Sequence, residues 1–142
     1  MIYSKACEYG IRALTYLARH QEERSVVRDI SDEENVPHYF LGKILQTLAK
    51  HDLVSSIKGP GGGFGLAKPA EEITLYDIRA AIDGNQDLYD CAVGYADCTA
   101  QSPCALHDDF EPLRNQIIDY LKSTTLDAMA GAVDAKRTAA SS

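Results

Sequence analysis

Nowhere does the chain run apolar for anything near the ~20 residues that a membrane-spanning helix requires, so no transmembrane segment is expected. The opening stretch, MIYSKACEYGIRALTYLARH, has charges scattered along it and lacks the uninterrupted apolar core of a secretory leader. A cytoplasmic location is therefore expected. Catalytic arrangements are missing too. There is no Ser/His/Asp grouping, and the four histidines lack metalloprotease spacing. The glycine-rich GPGGGFGLAK lacks the Gly-Lys-Ser/Thr ending of a nucleotide loop and does not lead straight into a helix. An enzyme is not expected. No internal repeat is visible.

Positive charge is also scarce. Fourteen Lys and Arg against twenty-one Asp and Glu leave a net charge of −7. The mean hides a division, because residues 1–80 are nearly balanced at −1 while residues 81–142 carry −6. Within residues 35–69, Lys43, Lys50, Lys58 and Lys68 face only Asp52. Phosphate contacts form only where a surface meets the duplex, so a local basic face outweighs the average. DNA is compatible with this charge pattern, provided the acidic half points away.

With 45% apolar residues, the 142-residue chain can build one core but not two of ordinary size. Ile11, Leu14, Leu17 and Ala18 recur at helical spacing and predict a helix over 4–20. Ser25 is a candidate cap for a short second helix ending at Asn35. Pro37 opens a third, with Leu41, Ile44, Leu45 and Leu48 as its buried stripe. Two strand-like pieces, 53–58 and 64–68, flank Gly59-Pro60-Gly61-Gly62-Gly63, which reads as a hairpin tip. Thr74 and Asp77 form a capping-box pattern for a fourth helix through Ile82, ended by Gly84. Ser102-Pro103 signals the start of a last helix over 103–129, with Leu106, Leu113, Ile117, Tyr120, Leu121 and Leu126 on its apolar side.

The fold class expected is mostly α with a small β wing, a winged helix-turn-helix followed by a long C-terminal helix. The divisions expected are a DNA-binding domain over 1–84, a cysteine loop over 85–108, the last helix over 103–129 and a disordered tail over 130–142. In such a unit the third helix enters the major groove while the wing holds phosphate or reaches the minor groove. His38, Tyr39 and Lys43 are the candidate contacts on the third helix. Lys58, Gly61, Gly62 and Gly63 are those of the wing, and Arg28 could hold a phosphate.

Cys91, Cys98 and Cys104 fall within fourteen residues, and His107 follows. In a reducing compartment, clustered cysteines bind metal more often than they form disulfides. Zinc is a competitor, since three cysteines and a histidine make a common zinc set. Its sites usually contain a ligand pair two to four residues apart, so the wider spacing here fits an iron–sulfur cluster better. Cys7 is expected to face helix packing.

Three stretches together resemble the Rrf-type winged-helix regulators, whose members include IscR-like and NsrR-like repressors. They are SKACEYGIRALTYLA, LGKILQTLAKHDLVSSIKGPGGGFGLAK, and the cysteine loop with a helix ending TTLDAM. The likeness spans roughly residues 1–130. It implies a transcriptional repressor that binds double-stranded operator DNA of inverted-repeat form as a homodimer, with the long C-terminal helix over 103–129 as its dimerisation helix. It also implies DNA affinity set by a cluster that senses nitric oxide, redox state or iron supply. The fourth ligand stays open. His107 matches the histidine of IscR-like proteins, which hold a 2Fe–2S cluster. Glu8 matches the carboxylate that NsrR-like proteins supply from the partner subunit to a 4Fe–4S cluster. The base-reading glutamate of IscR-like proteins falls at Gly42 here, so their target sequence is not expected to carry over. The alternative is a zinc-stabilised or cofactor-free regulator responding to a thiol, a metabolite or a partner protein.

Overall fold

The computed structural model describes residues 2–140. Six α-helices and one two-stranded sheet follow in the order α1 (Lys5–Arg19), α2 (Val27–Glu34), α3 (His38–Lys50), β1 (Val54–Ile57), β2 (Gly63–Leu66), α4 (Leu75–Ile82), α5 (His107–Ser123) and α6 (Leu126–Ala140). Short 3-10 turns lie at Ala70–Glu72 and Gln86–Tyr89. This is the expected winged helix-turn-helix.

The core forms where the apolar stripes of α1, α3 and α4 meet. Leu14, Leu17, Leu41, Leu45, Leu48 and Ile78 are all at most 1% exposed. Each such side chain contributes about 1.5–3 kcal/mol through its removal from water, which outweighs the weak intrinsic preferences of these short helices. Ser4 caps α1 by accepting from the Cys7 amide at 3.0 Å. The Thr74/Asp77 capping box starts α4 in both directions, at 3.2 and 3.0 Å. Asn35 ends α2 in the left-handed region at φ 53°.

β1 and β2 pair antiparallel in a register running from Val54 opposite Leu66 to Ile57 opposite Gly63. The glycine run forms the connection, as expected. A Cβ at Gly62 would lie 2.1 Å from the Ile57 carbonyl oxygen, so only glycine fits that turn. Ser25 adds a bridge on the other side of β2, exchanging backbone hydrogen bonds with Phe64 at 2.9 and 2.8 Å. Ser25 is thus a strand-like residue and not the cap of α2. Val26 occupies the cap position, without a side-chain hydrogen bond.

Two further expectations are corrected. The single helix over 103–129 is two helices, α5 and α6, separated at Thr124 and Thr125. This pair leaves helical geometry to dock on the segment preceding α4. Leu75 donates to the Thr124 carbonyl at 3.0 Å, and Leu126 donates to the Ile73 carbonyl at 2.7 Å. Tertiary backbone pairing overrides the helical periodicity that runs through the sequence. The tail expected to be disordered over 130–142 is helical to Ala140, while Ser141 and Ser142 lie outside the described residues. It is ordered because α6 packs along α1, burying Leu126 and Ala130. Arg19 then meets Asp134 at 2.6 Å, and Arg137 meets Glu33 of α2 at 3.0 Å.

Two glycines predict opposite effects. At Gly42, mid-α3, an added Cβ meets nothing within 4 Å, so Gly42→Ala should stabilise the protein by about 1 kcal/mol through helix propensity. Gly62→Ala should destabilise it by about 1–3 kcal/mol through the clash at the turn. Urea denaturation followed by circular dichroism checks both signs.

Candidate metal centre and nucleic-acid interface

The 24 residues between α4 and α5 contain only the Gln86–Tyr89 turn as regular structure, and they fold into a loop that turns its cysteines inward. The Sγ atoms of Cys91, Cys98 and Cys104 all lie within 4.8 Å of one another. Thr99 and Ser102 exchange backbone hydrogen bonds at 3.2 Å, closing a tight bend between the second and third thiols. The Cys104 amide then donates to Cys98 Sγ at 3.3 Å. This bend displaces the expected helix start. Ser102 is engaged with Thr99, α5 begins only at His107, and Cys104 therefore precedes the helix instead of occupying its first turn.

His107, largely shielded from solvent, turns Nδ1 toward Cys98 Sγ at 3.4 Å. Its Nε2 sits 3.2 Å from the Glu111 carboxylate, one turn along α5, without the alignment of a hydrogen bond. Tyr95, Asp97, Cys98, Ser102, Pro103 and Cys104 line an open hollow of about 530 Å³ beside the thiols. Backbone amides of Val93 and Tyr95, with help from the other two thiols, draw the Cys91 thiol down to about 7. At Cys98 the Cys104 amide pulls the same way, but burial and the neighbouring thiols outweigh it and the net direction is up. Three convergent sulfurs, one imidazole nitrogen and adjacent open space are a donor set that fits a metal or an iron–sulfur centre.

Cys7 is 0% exposed, inside the helix packing as expected, and burial pushes its thiol up to about 12. Glu8 is not brought to the cysteines of its own chain. It pairs with Lys5 at 3.3 Å near the start of α1.

One residue that sequence reading missed organises this region. Arg79 of α4 is 5% exposed and makes five hydrogen bonds to four residues. Its Nε donates to the Ile2 carbonyl at 2.8 Å. Nη1 donates to the Gly84 carbonyl and Asn85 Oδ1, at 3.0 and 3.1 Å. Both Nη atoms reach the Asp87 carboxylate, at 2.9 and 2.7 Å. Alongside, Asp83 accepts from the Ser4 amide at 3.0 Å and from the Ser4 hydroxyl. The N-terminus of α1 and the first residues of the cysteine loop are thereby tied to the same end of α4. The available signal was an arginine in LYDIRAAI one helical turn after Leu75, on the side that the apolar stripe buries.

The DNA-facing candidates are spread over three elements. His38, Tyr39 and Lys43 are exposed on α3, with the Lys43 ammonium 4.4 Å from the Tyr39 ring centroid. Arg28 is exposed on α2, and Lys58 and Gly61 are exposed at the wing tip. Gly62 and Gly63 are partly covered, and the turn itself explains them. Gly63 has φ 131°, and a Cβ there would sit 2.7 Å from the Ser25 carbonyl oxygen. Arg24, also missed, pins the wing by donating to Ser55 at 3.2 Å.

A family model described as an iron-dependent transcriptional regulator, Rrf2, matches residues 3–132. The chain belongs to the Rrf2 family. It is 37% identical over 128 residues to a protein of Aquifex aeolicus assigned as an HTH-type transcriptional regulator, covering 89% of each chain. It is 33% identical over 122 residues to the HTH-type transcriptional regulator IscR of Pectobacterium carotovorum, covering 85% of this chain and 74% of that one. The fold superimposes on CymR, the global cysteine regulator of B. subtilis, with a TM-score of 0.76, 24% identity and coverage of 91% and 95%. As an Rrf2 protein the chain is a DNA-binding transcriptional regulator and not an enzyme. No helix among the described residues is long and apolar enough to cross a membrane.

In metal-free protein at pH 7, about half of Cys91 should be thiolate and almost none of Cys7. Iodoacetamide followed by mass spectrometry should show Cys91 modified more than tenfold faster than Cys7. Arg79→Ala leaves two carbonyls, Asn85 and Asp87 without their donor. It should cost about 3 kcal/mol and make the 85–105 loop the first site of limited proteolysis. An unaltered melting temperature and cleavage pattern would remove the clamp from this account.

Proposed function

We propose that the chain acts in the cytoplasm as a homodimeric repressor of inverted-repeat operators, governed by an iron–sulfur cluster that senses nitric oxide, redox state or iron supply. The observation that carries the cluster is the convergence of Cys91, Cys98 and Cys104 within 4.8 Å beside an open hollow. These three would hold it. The fourth position falls to His107, whose Nδ1 already faces Cys98, or to Glu8 of the partner subunit. Such a cluster supplies a centre that nitric oxide and oxygen attack and that exists only while iron and sulfide are available.

The chain's own residues supply the rest. A loop folded around bound ligands stays seated against α4 through Asp87 and Arg79, and Arg79 also holds the start of α1. Since α1 packs directly on α3, the order of the loop bears on the placement of the DNA-facing helix. Support for the dimer comes from Leu106, Leu113 and Tyr120, which recur every seven residues and are about half exposed, at 46%, 54% and 47%. An apolar row at heptad spacing is the form that a helix takes when another helix covers it. On DNA, Tyr39 and Lys43 would meet the major groove, and Lys58 with Gly61 would meet the backbone.

The lowered Cys91 thiol favours a second reading, in which a zinc-stabilised or cofactor-free protein responds to thiol oxidation, a metabolite or a partner protein. Anaerobic purification with a visible spectrum and iron, sulfide and zinc contents separates the two. The cluster reading expects a brown protein with iron and sulfide, and loss of both in Cys98→Ala together with altered operator affinity. A colourless protein that holds zinc or nothing after reconstitution would favour the second.

A further inference from the structure

Helix α3 has a clear inner and outer side. Leu41, Ile44, Leu45 and Leu48 point into the core. With 3.6 residues per turn, the line opposite them runs through Tyr39, Lys43, Gln46 and Lys50, all four exposed. The flanks of this line differ. On one side Phe40 and Thr47 border a groove against Lys5, Ala6 and Tyr9 of α1. On the other side lie His38, Gly42 and Ala49, and at Gly42 an added Cβ would meet nothing within 4 Å. Beyond His38, from Gly42 to Ala49, that flank carries only small residues, so this part of the helix can approach a groove closely.

Gln46 stands beside this small-residue flank, near the middle of the outer line. Its amide makes no hydrogen bond among the described residues, and its neighbours one turn away on that side are the small Gly42 and Ala49. The other outer residues are committed differently. Lys43 lies over the Tyr39 ring at 4.4 Å, Thr47 bonds the Lys43 carbonyl at 3.1 Å, and Lys50 is in the last turn, where phosphate is the natural contact. Among Tyr39, Lys43, Gln46 and Lys50, only Gln46 carries a donor and an acceptor in one plane. That pair matches the N6 amine and N7 of adenine in the major groove, and it matches no other base there.

We propose that Gln46 is a specificity-determining residue that reads an adenine in each half-site, the small-residue flank at Gly42 and Ala49 admitting the helix far enough for it to reach the base edge. The inference rests on α3 being the DNA-facing helix, as proposed above. It goes further by naming the base and the residue that selects it.

The test is binding-site selection from a random duplex pool with the full chain, purified anaerobically, followed by anisotropy titrations at several salt concentrations. Lys43→Ala and Lys58→Ala serve as interface controls. Each should weaken binding to all sequences alike and reduce the salt slope by about one. With the interface so established, Gln46→Ala should retain the salt slope and lose about tenfold or more of the preference for adenine at one position per half-site. Replacing that adenine by 7-deazaadenine should weaken the wild type by a similar factor and leave Gln46→Ala unaffected. Gln46→Glu, which can only accept, should move the preference at that position to cytosine. Unchanged salt slopes in both lysine variants would overturn the placement of α3 on DNA, and this inference with it. Reduced slopes combined with an unchanged selected sequence in both Gln46 variants would overturn the role of Gln46 alone. Gln46 is exposed, so neither substitution disturbs the core.

Discussion

The guanidinium of Arg79 lies where a small α-helical domain would ordinarily place an aliphatic side chain. A buried cation is costly unless every donor is paired, and here the pairing partners come from three separate parts of the chain. Ile2 precedes α1, Gly84 and Asn85 follow the end of α4, and Asp87 lies near the start of the cysteine loop. Hydrophobic contact could hold these segments near one another but not in a fixed relation, because it has no direction. Five directed hydrogen bonds supply the relation. The rest of the arrangement follows from it, since the sulfur-bearing loop and the helix leading into the DNA-binding unit share one anchor.

The division of charge along the chain acquires a spatial meaning from this arrangement. The acidic half forms the cysteine loop and the two C-terminal helices, while Lys43 and Lys50 are exposed on α3 and Lys58 at the wing tip. Part of the acidity is neutralised locally, as Asp134 and Glu33 pair with Arg19 and Arg137 where α6 crosses α1 and α2. A chain of net charge −7 can thus still expose lysines together on α3 and at the wing tip. Where the cysteine triad holds a metal centre and α3 meets DNA, as proposed, the path between them runs through α4, α1 and α3, which pack on one another.

Legibility in the sequence tracked the range of the forces involved. Local devices were readable because all their parts are near neighbours. Examples are the Thr74/Asp77 box, the stripe of α3, the left-handed Asn35 and the glycine turn of the wing. Convergence of the three cysteines was readable because they share one short loop. What could not be read depends on distant backbone. Helical periodicity continues unbroken through Thr124 and Thr125, and only the docking of this pair on Ile73 and Leu75, about fifty residues earlier, splits the helix. The shift of the α5 start has the same character, since Ser102 looks like a cap until the bend with Thr99 occupies it. An alanine-rich tail with few large apolar residues read as unstructured because its stabilising partners, Arg19 and Glu33, lie more than a hundred residues away.

The packing of α6 along α1 covers the first helix of the described residues with the sixth. A ribosome delivers α1 more than a hundred residues before α6, so until residues 126–140 emerge the face of α1 on which α6 packs is bare. Contacts of such sequence separation close slowly, and an exposed apolar helix face on a nascent chain is a surface for chaperones or for mispairing with another copy. Shortening the chain after α5 would therefore do more than trim an end: it would leave the first helix permanently in the condition it has on the ribosome.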